Sequence, residues 1–285
     1  MLTKLTWKSI LVTIVAIALS PLGNAQATGK SQQHAYLGFD ANDYPGDAVL
    51  PQLRKTFSFA GYWLNHPPYT PSGSLDTWLG HRAALAKQGF GFLVLFNGRL
   101  DKELRAAADP RVVGANDARD AATVARHEGF PPGTVIFVDE EEGGSMYDEQ
   151  MAYLLAWFDG IVAQGFRAGI YCSGMPASEG YGQFTVTANF IRARAAGRKI
   201  VYFVFNDACP PSPGCVLADP PPPSASGVDF ASVWQFTQSP RRRNYTRRCS
   251  ATYARDGNCY APGVGPGSPY IDTETSVSPD PSAAR

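Results

Sequence analysis

The sequence of 285 residues has no excess of charge and no long hydrophobic run. Its 25 basic and 25 acidic side chains give a formal net charge of zero, which argues against a basic surface for nucleic acid. The most apolar stretch, residues 10–19, has ten residues, whereas a membrane-spanning helix needs roughly 20. We therefore expect no nucleic-acid partner and no stable membrane span in the mature chain.

The amino terminus has the pattern of a secretory signal peptide. Lys4 and Lys8 precede the apolar stretch at residues 10–19, and Gly23-Asn24-Ala25 follows as a small-x-small cleavage site. An uncleaved anchor is the alternative, but the apolar stretch is short for one. We predict a signal peptide over residues 1–25 and a secreted or periplasmic mature protein that begins near Gln26.

The five cysteines fit an exported protein with disulfide bonds. Short Pro- and Gly-rich loops favour pairing of Cys209 with Cys215 and of Cys249 with Cys259, which leaves Cys172 over. A zinc site is the alternative, but the chain has no C-x-x-C pair with a nearby histidine cluster. We predict two disulfides and no metal.

Other common catalytic motifs are missing as well. There is no H-E-x-x-H spacing, and there is no G-x-S-x-G nucleophile elbow with a convincing histidine partner, so an amidase or esterase is disfavoured. The glycines at 263, 265 and 267 are interrupted by proline and open no helix, which argues against a phosphate-binding loop. We expect no cofactor.

Short apolar runs alternate with segments of helical character, which indicates an α/β fold with strands buried on both faces. The predicted strands are residues 35–39, 58–62, 92–96, 135–138, 168–171, 200–205, 233–236 and, weakly, 270–271. The predicted helices are residues 75–87, 116–128, 147–164 and 186–196. A doubly wound sheet and a closed barrel are both possible, and the strand count favours a single parallel TIM-like barrel over residues 34–275. Its last three strands are joined by loops, and residues 276–285 are expected to be a disordered tail.

Acidic residues stand at the ends of two predicted strands, where the loops of such a barrel form the active-site cleft. Asp40 ends the first strand, and Asp139 and Glu141 project on one face at the end of the fourth. Neighbouring carboxyls in a partly dry cleft give a protonated acid beside an ionised partner, as glycoside cleavage requires. The alternatives are a solvated acidic loop at a helix start for residues 139–142 and a turn aspartate for Asp40.

Four aromatic residues and one amide at or next to strand ends could contact a sugar. The aromatic residues Tyr62, Trp63, Tyr171 and Trp234 offer faces that stack on sugar rings, although core packing is equally consistent with each of them. The amide of Gln235 could bind hydroxyl groups. The arginine-rich segment 241–248 could bind an anionic glycan or could be a solvated loop.

Taken in order, the strand-end motifs resemble the glycoside-hydrolase-like barrel domain of exported bacterial cell-wall proteins, which is similar to glycoside hydrolase family 25 lysozymes. The resemblance covers about residues 36–272. It is carried by Gly38-Phe39-Asp40, Phe90-Gly91-Phe92, Asp139-x-Glu141, Gly169-Ile170-Tyr171 and Trp234-Gln235-Phe236.

The resemblance implies cleavage of the bond between N-acetylmuramic acid and N-acetylglucosamine. Glu141 would correspond to the general acid and Asp139 to the group that stabilises the developing cation or a substrate-assisted intermediate. Asp40 would be the first-strand acid and Asp272 a late substrate-contacting aspartate. Because four acids stand in a row, Glu140 or Glu142 could replace one of the pair.

Two functions follow from these patterns. The first is a monomeric exported hydrolase of peptidoglycan or a related polysaccharide that works without metal, by acid-base catalysis with Asp40, Asp139 and Glu141. The alternative is a non-catalytic glycan-binding or envelope-scaffold protein that retains the cleft.

Overall fold

Strands and helices alternate along the part of the chain that the computed structural model describes, residues 34–66, 77–206, 220–238 and 271–283. The strands are β1 Tyr36–Asp40, β2 Phe59–Trp63, β3 Gly91–Asn97, β4 Val135–Asp139, β5 Arg167–Ser173, β6 Pro176–Gly180, β7 Gln183–Val186, β8 Val201–Phe205, β9 Ala231–Gln238 and β10 Asp272–Ser276. Eight of them close into a barrel in the order β1-β10-β9-β8-β5-β4-β3-β2, and β6 and β7 form a separate hairpin. The α/β barrel predicted from the alternation of apolar runs is confirmed.

The helices are shorter or longer than predicted at their amino-terminal ends. They are α1 Leu50–Leu53, α2 Arg82–Lys87, α3 Asp101–Ala106, α4 Pro110–His127, α5 Asp148–Ala163 and α6 Thr187–Arg194, with 3-10 turns at Asp47–Val49 and Pro223–Ser226. Helix α4 begins before the predicted position because Asp109 accepts a hydrogen bond from the Arg111 amide and Pro110 fits the first turn. The glycines at 89, 129, 165 and 197 follow helices with φ between 77° and 83°, as expected of helix caps.

The last strand runs in the opposite direction to the other barrel strands, so the expectation of an all-parallel barrel was wrong at this point. β10 pairs antiparallel with both β1 and β9, and Asp272 lies opposite Asp40 in the ladder. Its reversed direction puts the start of β10 at the same end of the barrel as the carboxyl ends of its neighbours. Asp272 therefore reaches the end of the barrel where Asp40 and Asp139 lie.

Alternate side chains of the strands fill two separate apolar layers. The barrel interior contains Phe59, Leu93, Leu95, Val135, Phe137, Phe203 and Val233. The larger layer lies between the barrel and the helices and includes Phe39, Tyr62, Val94, Ile136, Ile170 and Trp234. A polar residue on the interior face at a strand end therefore sits on an apolar floor, with little access to bulk water.

The tail is ordered as far as residue 283, so the prediction of disorder from 276 was wrong for those residues. Ser282 is buried, donates its amide to the carbonyl of Phe92 and accepts the amide of Val135. A Cβ at Gly91 would lie 2.1 Å from the Pro279 carbonyl, so the tail passes directly over the start of β3. The segment supplies hydrogen bonds to strand ends that would otherwise lack partners.

Several predictions concern residues outside the described ranges. These are the signal peptide at 1–25, the arginine-rich segment 241–248, and the cysteines Cys209, Cys215, Cys249 and Cys259. The remaining cysteine, Cys172, is buried and free, and burial raises the pKa of its thiol. Within the described part of the chain, no helix combines the length and apolar character needed to cross a membrane.

Candidate functional site

A cavity of about 180 Å³ opens at the end of the barrel where the parallel strands finish. Asp40, Asp139 and Glu141, the three predicted catalytic residues, all line it. The other lining residues are Asn42, Trp63, Leu95, Tyr171, Phe203, Gln235 and Asp272. The fold thus brings together three carboxyls that lie up to about a hundred residues apart in the sequence.

A larger groove of about 730 Å³ lies at the opposite end of β5 and β8, beside α5 and α6. Arg167, Arg192, Arg198 and Lys199 line it together with apolar side chains, and its lining includes no carboxyl. Because it lacks an acid-base pair, the smaller acidic cavity is the better candidate for chemistry.

Gln235 connects the carboxyls on one wall of the cavity. Its Nε2 donates to Asp272 Oδ2 at 3.0 Å and lies 3.4 Å from Asp40 Oδ2, and its Oε1 accepts the hydroxyl of Tyr171 at 2.6 Å. These contacts fix the orientation of Asp40 and Asp272. The predicted substrate-binding residues Tyr171, Gln235 and Asp272 thus all lie at the cavity.

Two glycines leave space for the backbone beside the acids. A Cβ at Gly61 would lie 2.3 Å from the Cβ of Asp40, and a Cβ at Gly98 would lie 2.4 Å from the carbonyl oxygen of Asp139. Such distances are too short for a side chain, so both positions require glycine.

Burial raises the pKa of all three predicted catalytic carboxyls. For Asp139 burial is the largest cause, and the negative charges of Glu141, Glu140 and Asp40 raise its pKa further. Its Oδ1 is sealed from solvent and accepts no hydrogen bond from the described residues. Partial burial and the charge of Asp40 also raise the pKa of Glu141, which is an exposed residue at the cavity mouth. For Asp40, hydrogen bonds oppose the effect of burial.

The two other acids of the tetrad do not line this cavity. Glu140 is only 4% exposed, faces away from Asp139, and its Oε1 accepts the amide of Glu142 at 3.1 Å. Burial raises the pKa of Glu140 to about 8. Glu142 accepts a hydrogen bond from the side chain of Gln150. The geometry therefore favours the pair Asp139 and Glu141 over either substitute.

Two of the residues predicted to stack on sugar, Tyr62 and Trp234, point away from the cavity toward the helices, so these two predictions were wrong. Tyr62 is buried under the helices and donates its hydroxyl to Glu128. Trp234 donates its indole N–H to the Asn206 carbonyl at 2.8 Å, also on the helix side. Trp63, the neighbouring aromatic candidate at the end of β2, does line the cavity.

The sequence analysis also missed Glu274. This residue is fully buried on β10, two positions after Asp272, and burial raises its pKa well above the usual value. Its strand, Asp272–Ser276, contains no apolar residue, so the pattern that revealed the other strands was absent. Within the described ranges, no group of three or more His, Cys, Asp and Glu side chains has the arrangement of a metal site.

Comparison with known proteins finds one family model that matches part of the chain. Residues 78–203 match the family model of the Rv2525c-like, glycoside hydrolase-like domain. No curated protein matches. Among solved structures, the Mycobacterium tuberculosis Tat-secreted protein Rv2525c is 14% identical, with coverage of 87% of this chain and 96% of that chain and a TM-score of 0.50.

Two further solved structures have TM-scores similar to that of Rv2525c. An uncharacterized B. stearothermophilus protein is 18% identical over 85% of this chain and 95% of its own, with a TM-score of 0.49. The Clostridium perfringens spore cortex lytic enzyme SleM is 15% identical over 86% of this chain and 68% of its own, also at 0.49. Identities this low concern the fold alone. The resemblance drawn from the strand-end motifs is confirmed by the family match, which covers residues 78–203 of this chain.

Proposed function

We propose that this protein is an exported hydrolase of bacterial cell-wall glycan, with Glu141 as the general acid and Asp139 as its partner. The observation that carries the proposal is the meeting of Asp40, Asp139 and Glu141 in one cavity. None of the three forms an ion pair with a described Lys, Arg or His. Carboxyls that share one cavity with no described cation oppose one another's ionisation, which favours a protonated acid among them.

Position assigns the two roles. Glu141 lies at the mouth, where its proton can reach the oxygen of a glycosidic bond that enters from solvent. Asp139 lies deeper in the cavity wall, at the end of β4. In the reaction Glu141 gives its proton to the bridging oxygen and the bond from that oxygen to the sugar C1 breaks, while the Asp139 carboxyl stabilises the positive charge at C1 or orients an N-acetyl group. Water then adds at C1 and returns a proton to Glu141.

The shape and polarity of the cavity suit a sugar. Its volume of about 180 Å³ is below the roughly 300 Å³ at which drug-sized pockets begin, so it would hold one sugar ring with the rest of the glycan outside. Trp63 and Tyr171 supply ring faces, and Gln235 and Asp272 supply polar groups. Export is proposed from the chain's own residues 1–25; Rv2525c is itself described as Tat-secreted.

The test compares wild type with Glu141→Gln and Asp139→Asn on purified peptidoglycan, with release of reducing ends and loss of turbidity as readouts. General acid catalysis contributes typically about 10²–10⁴-fold, and we expect a loss of that size for Glu141→Gln. Glu149→Gln, on α5 outside the cavity, is the matched control and should keep full activity. The wild-type rate should also fall as the pH rises through the raised pKa of Glu141, because only the protonated form donates.

Equal rates for wild type and Glu141→Gln would contradict the catalytic assignment. Wild-type protein that binds insoluble peptidoglycan but releases no product would instead favour the non-catalytic glycan-binding alternative.

A further inference from the structure

A fifth carboxyl lies beneath the four that line the cavity. Glu274 follows Asp272 by two residues on β10, so it projects from the same face one layer deeper. It is paired with Gly38 of β1 and with Gln235 of β9 in the two ladders. Its exposure is 0%, and it is not among the cavity-lining residues. Substrate therefore cannot reach it, and any role must act through a neighbour.

The neighbours of Glu274 are acids, not bases. Its side chain lies near the carboxyls of Asp40 and Asp272, and neither of its two carboxyl oxygens, both sealed from solvent, has a hydrogen-bond donor among the described residues. No described basic side chain forms an ion pair with Glu274 or Asp40. Two carboxyls can form a hydrogen bond only when one of them is protonated, since an ionised carboxylate only accepts. A direct contact between the carboxyls of Glu274 and Asp40 therefore requires a proton on one of them.

The surroundings decide which of the two keeps that proton. Asp40 has the amide of Gln235 at 3.4 Å and the Trp63 indole beside it, both of which favour its ionised form. Glu274 lacks such side-chain donors and is completely removed from water, which favours its neutral form. Burial and the charges of Asp40 and Asp272 raise the pKa of Glu274 well above its ordinary value.

We propose that Glu274 is a positioning residue that stays protonated in the native protein and donates its carboxylic hydrogen to Asp40. This bond holds Asp40 ionised and oriented at the cavity wall. An ionised Glu274 would instead repel Asp40 and Asp272 from below. The protonation state is a claim about the native protein alone, whereas its effect on turnover rests on the proposed function.

The first experiment measures protonation without activity. Carboxyl ¹³C NMR of protein labelled at glutamate, recorded at neutral pH, should show an acid-form signal that disappears in Glu274→Gln. Glu140, with a pKa of about 8, gives another such signal, and Glu274→Gln should leave it in place. Loss of only an ionised-form signal in Glu274→Gln would overturn the inference, whatever the protein does to glycan.

The second experiment tests positioning with two variants and a matched control. Glu274→Gln is neutral and keeps a donor for Asp40, so kcat should stay within a few-fold of wild type. Glu274→Leu has no donor, and we expect kcat to fall about tenfold or more with a smaller change in KM. Thr275→Val is the control, because Thr275 is equally buried, projects from the opposite face, and its hydroxyl has no partner in the described chain.

The outcomes separate the two proposals. A folded Glu274→Leu variant with wild-type kcat, or a Glu274→Gln variant as impaired as Glu274→Leu, would overturn the positioning role. If Glu274→Leu does not fold, the comparison of Glu274→Gln with Thr275→Val and the NMR signal still decide. If the wild type proves inactive on every glycan, the proposed function fails, while the NMR result stands or falls separately.

Discussion

The order of the carboxyl-terminal tail gives a prediction whose size can be worked out from four hydrogen bonds. Phe92 N donates to Asp280 Oδ1 at 2.9 Å, and Val94 N donates to Ser282 Oγ at 2.8 Å. Ser282 N donates to the Phe92 carbonyl at 2.9 Å, and Val135 N donates to the Ser282 carbonyl at 3.0 Å. Each bond contributes about 1 kcal/mol net. Removal of residues 277–285 should therefore lower the free energy of unfolding by on the order of 4 kcal/mol.

Urea denaturation followed by circular dichroism measures this loss. We expect the midpoint to fall with little change in the denaturant slope, because the barrel core that unfolds is the same. Ser282→Ala should reproduce part of the loss, about 1–3 kcal/mol, because it leaves the buried amide of Val94 without an acceptor. Ser278→Ala is the matched comparison, since the Ser278 hydroxyl bonds only within the tail, to Asp280. A truncated protein as stable as wild type, or equal effects at 282 and 278, would refute the reasoning.

Two further predictions concern residues around the cavity. Gly61→Ala should reduce glycan hydrolysis or binding much more than it lowers the urea midpoint, because the added methyl group displaces Asp40. Unchanged hydrolysis and binding would contradict this. Burial raises the pKa of Glu140 from its ordinary 4.5 to about 8, so the native state binds a proton that the unfolded chain has lost. Stability should fall by about 1.4 kcal/mol per pH unit across that window, and Glu140→Gln should flatten the dependence in urea titrations; equal slopes in both proteins would count against it.

The barrel and its acidic end could be predicted from sequence because the signals were local. Buried strands such as Val135–Asp139 are continuous apolar runs that end in an acidic residue. The same pattern identifies Tyr36–Asp40. Once the strands close into a barrel, their carboxyl ends meet. Asp40 and Asp139 could thus be placed at the same end without any knowledge of contacts.

The remaining parts of the site depended on long-range contacts that no local pattern reports. The choice between Tyr62 and Trp63 turns on which face of β2 points inward, and a shift of one residue reverses it. The tail contains serine, proline and aspartate, a composition typical of disorder, yet its backbone is fixed by strands β3 and β4. Only the closed barrel supplies those partners.

Strand β10 is the strongest case, because it is buried without apolar side chains. Thr273, Glu274, Thr275 and Ser276 are each at most 1% exposed, so the strand gains little from the hydrophobic effect and depends on its ladders with β1 and β9. Buried polar groups of this kind cost stability unless they are hydrogen-bonded. The same strand carries Asp272 and Glu274 to Asp40. An all-apolar β10 would give a more stable barrel, but it would leave Asp40 with neither the Gln235–Asp272 contact beside it nor the Glu274 carboxyl beneath it, and the acidic cavity would lose one of its walls.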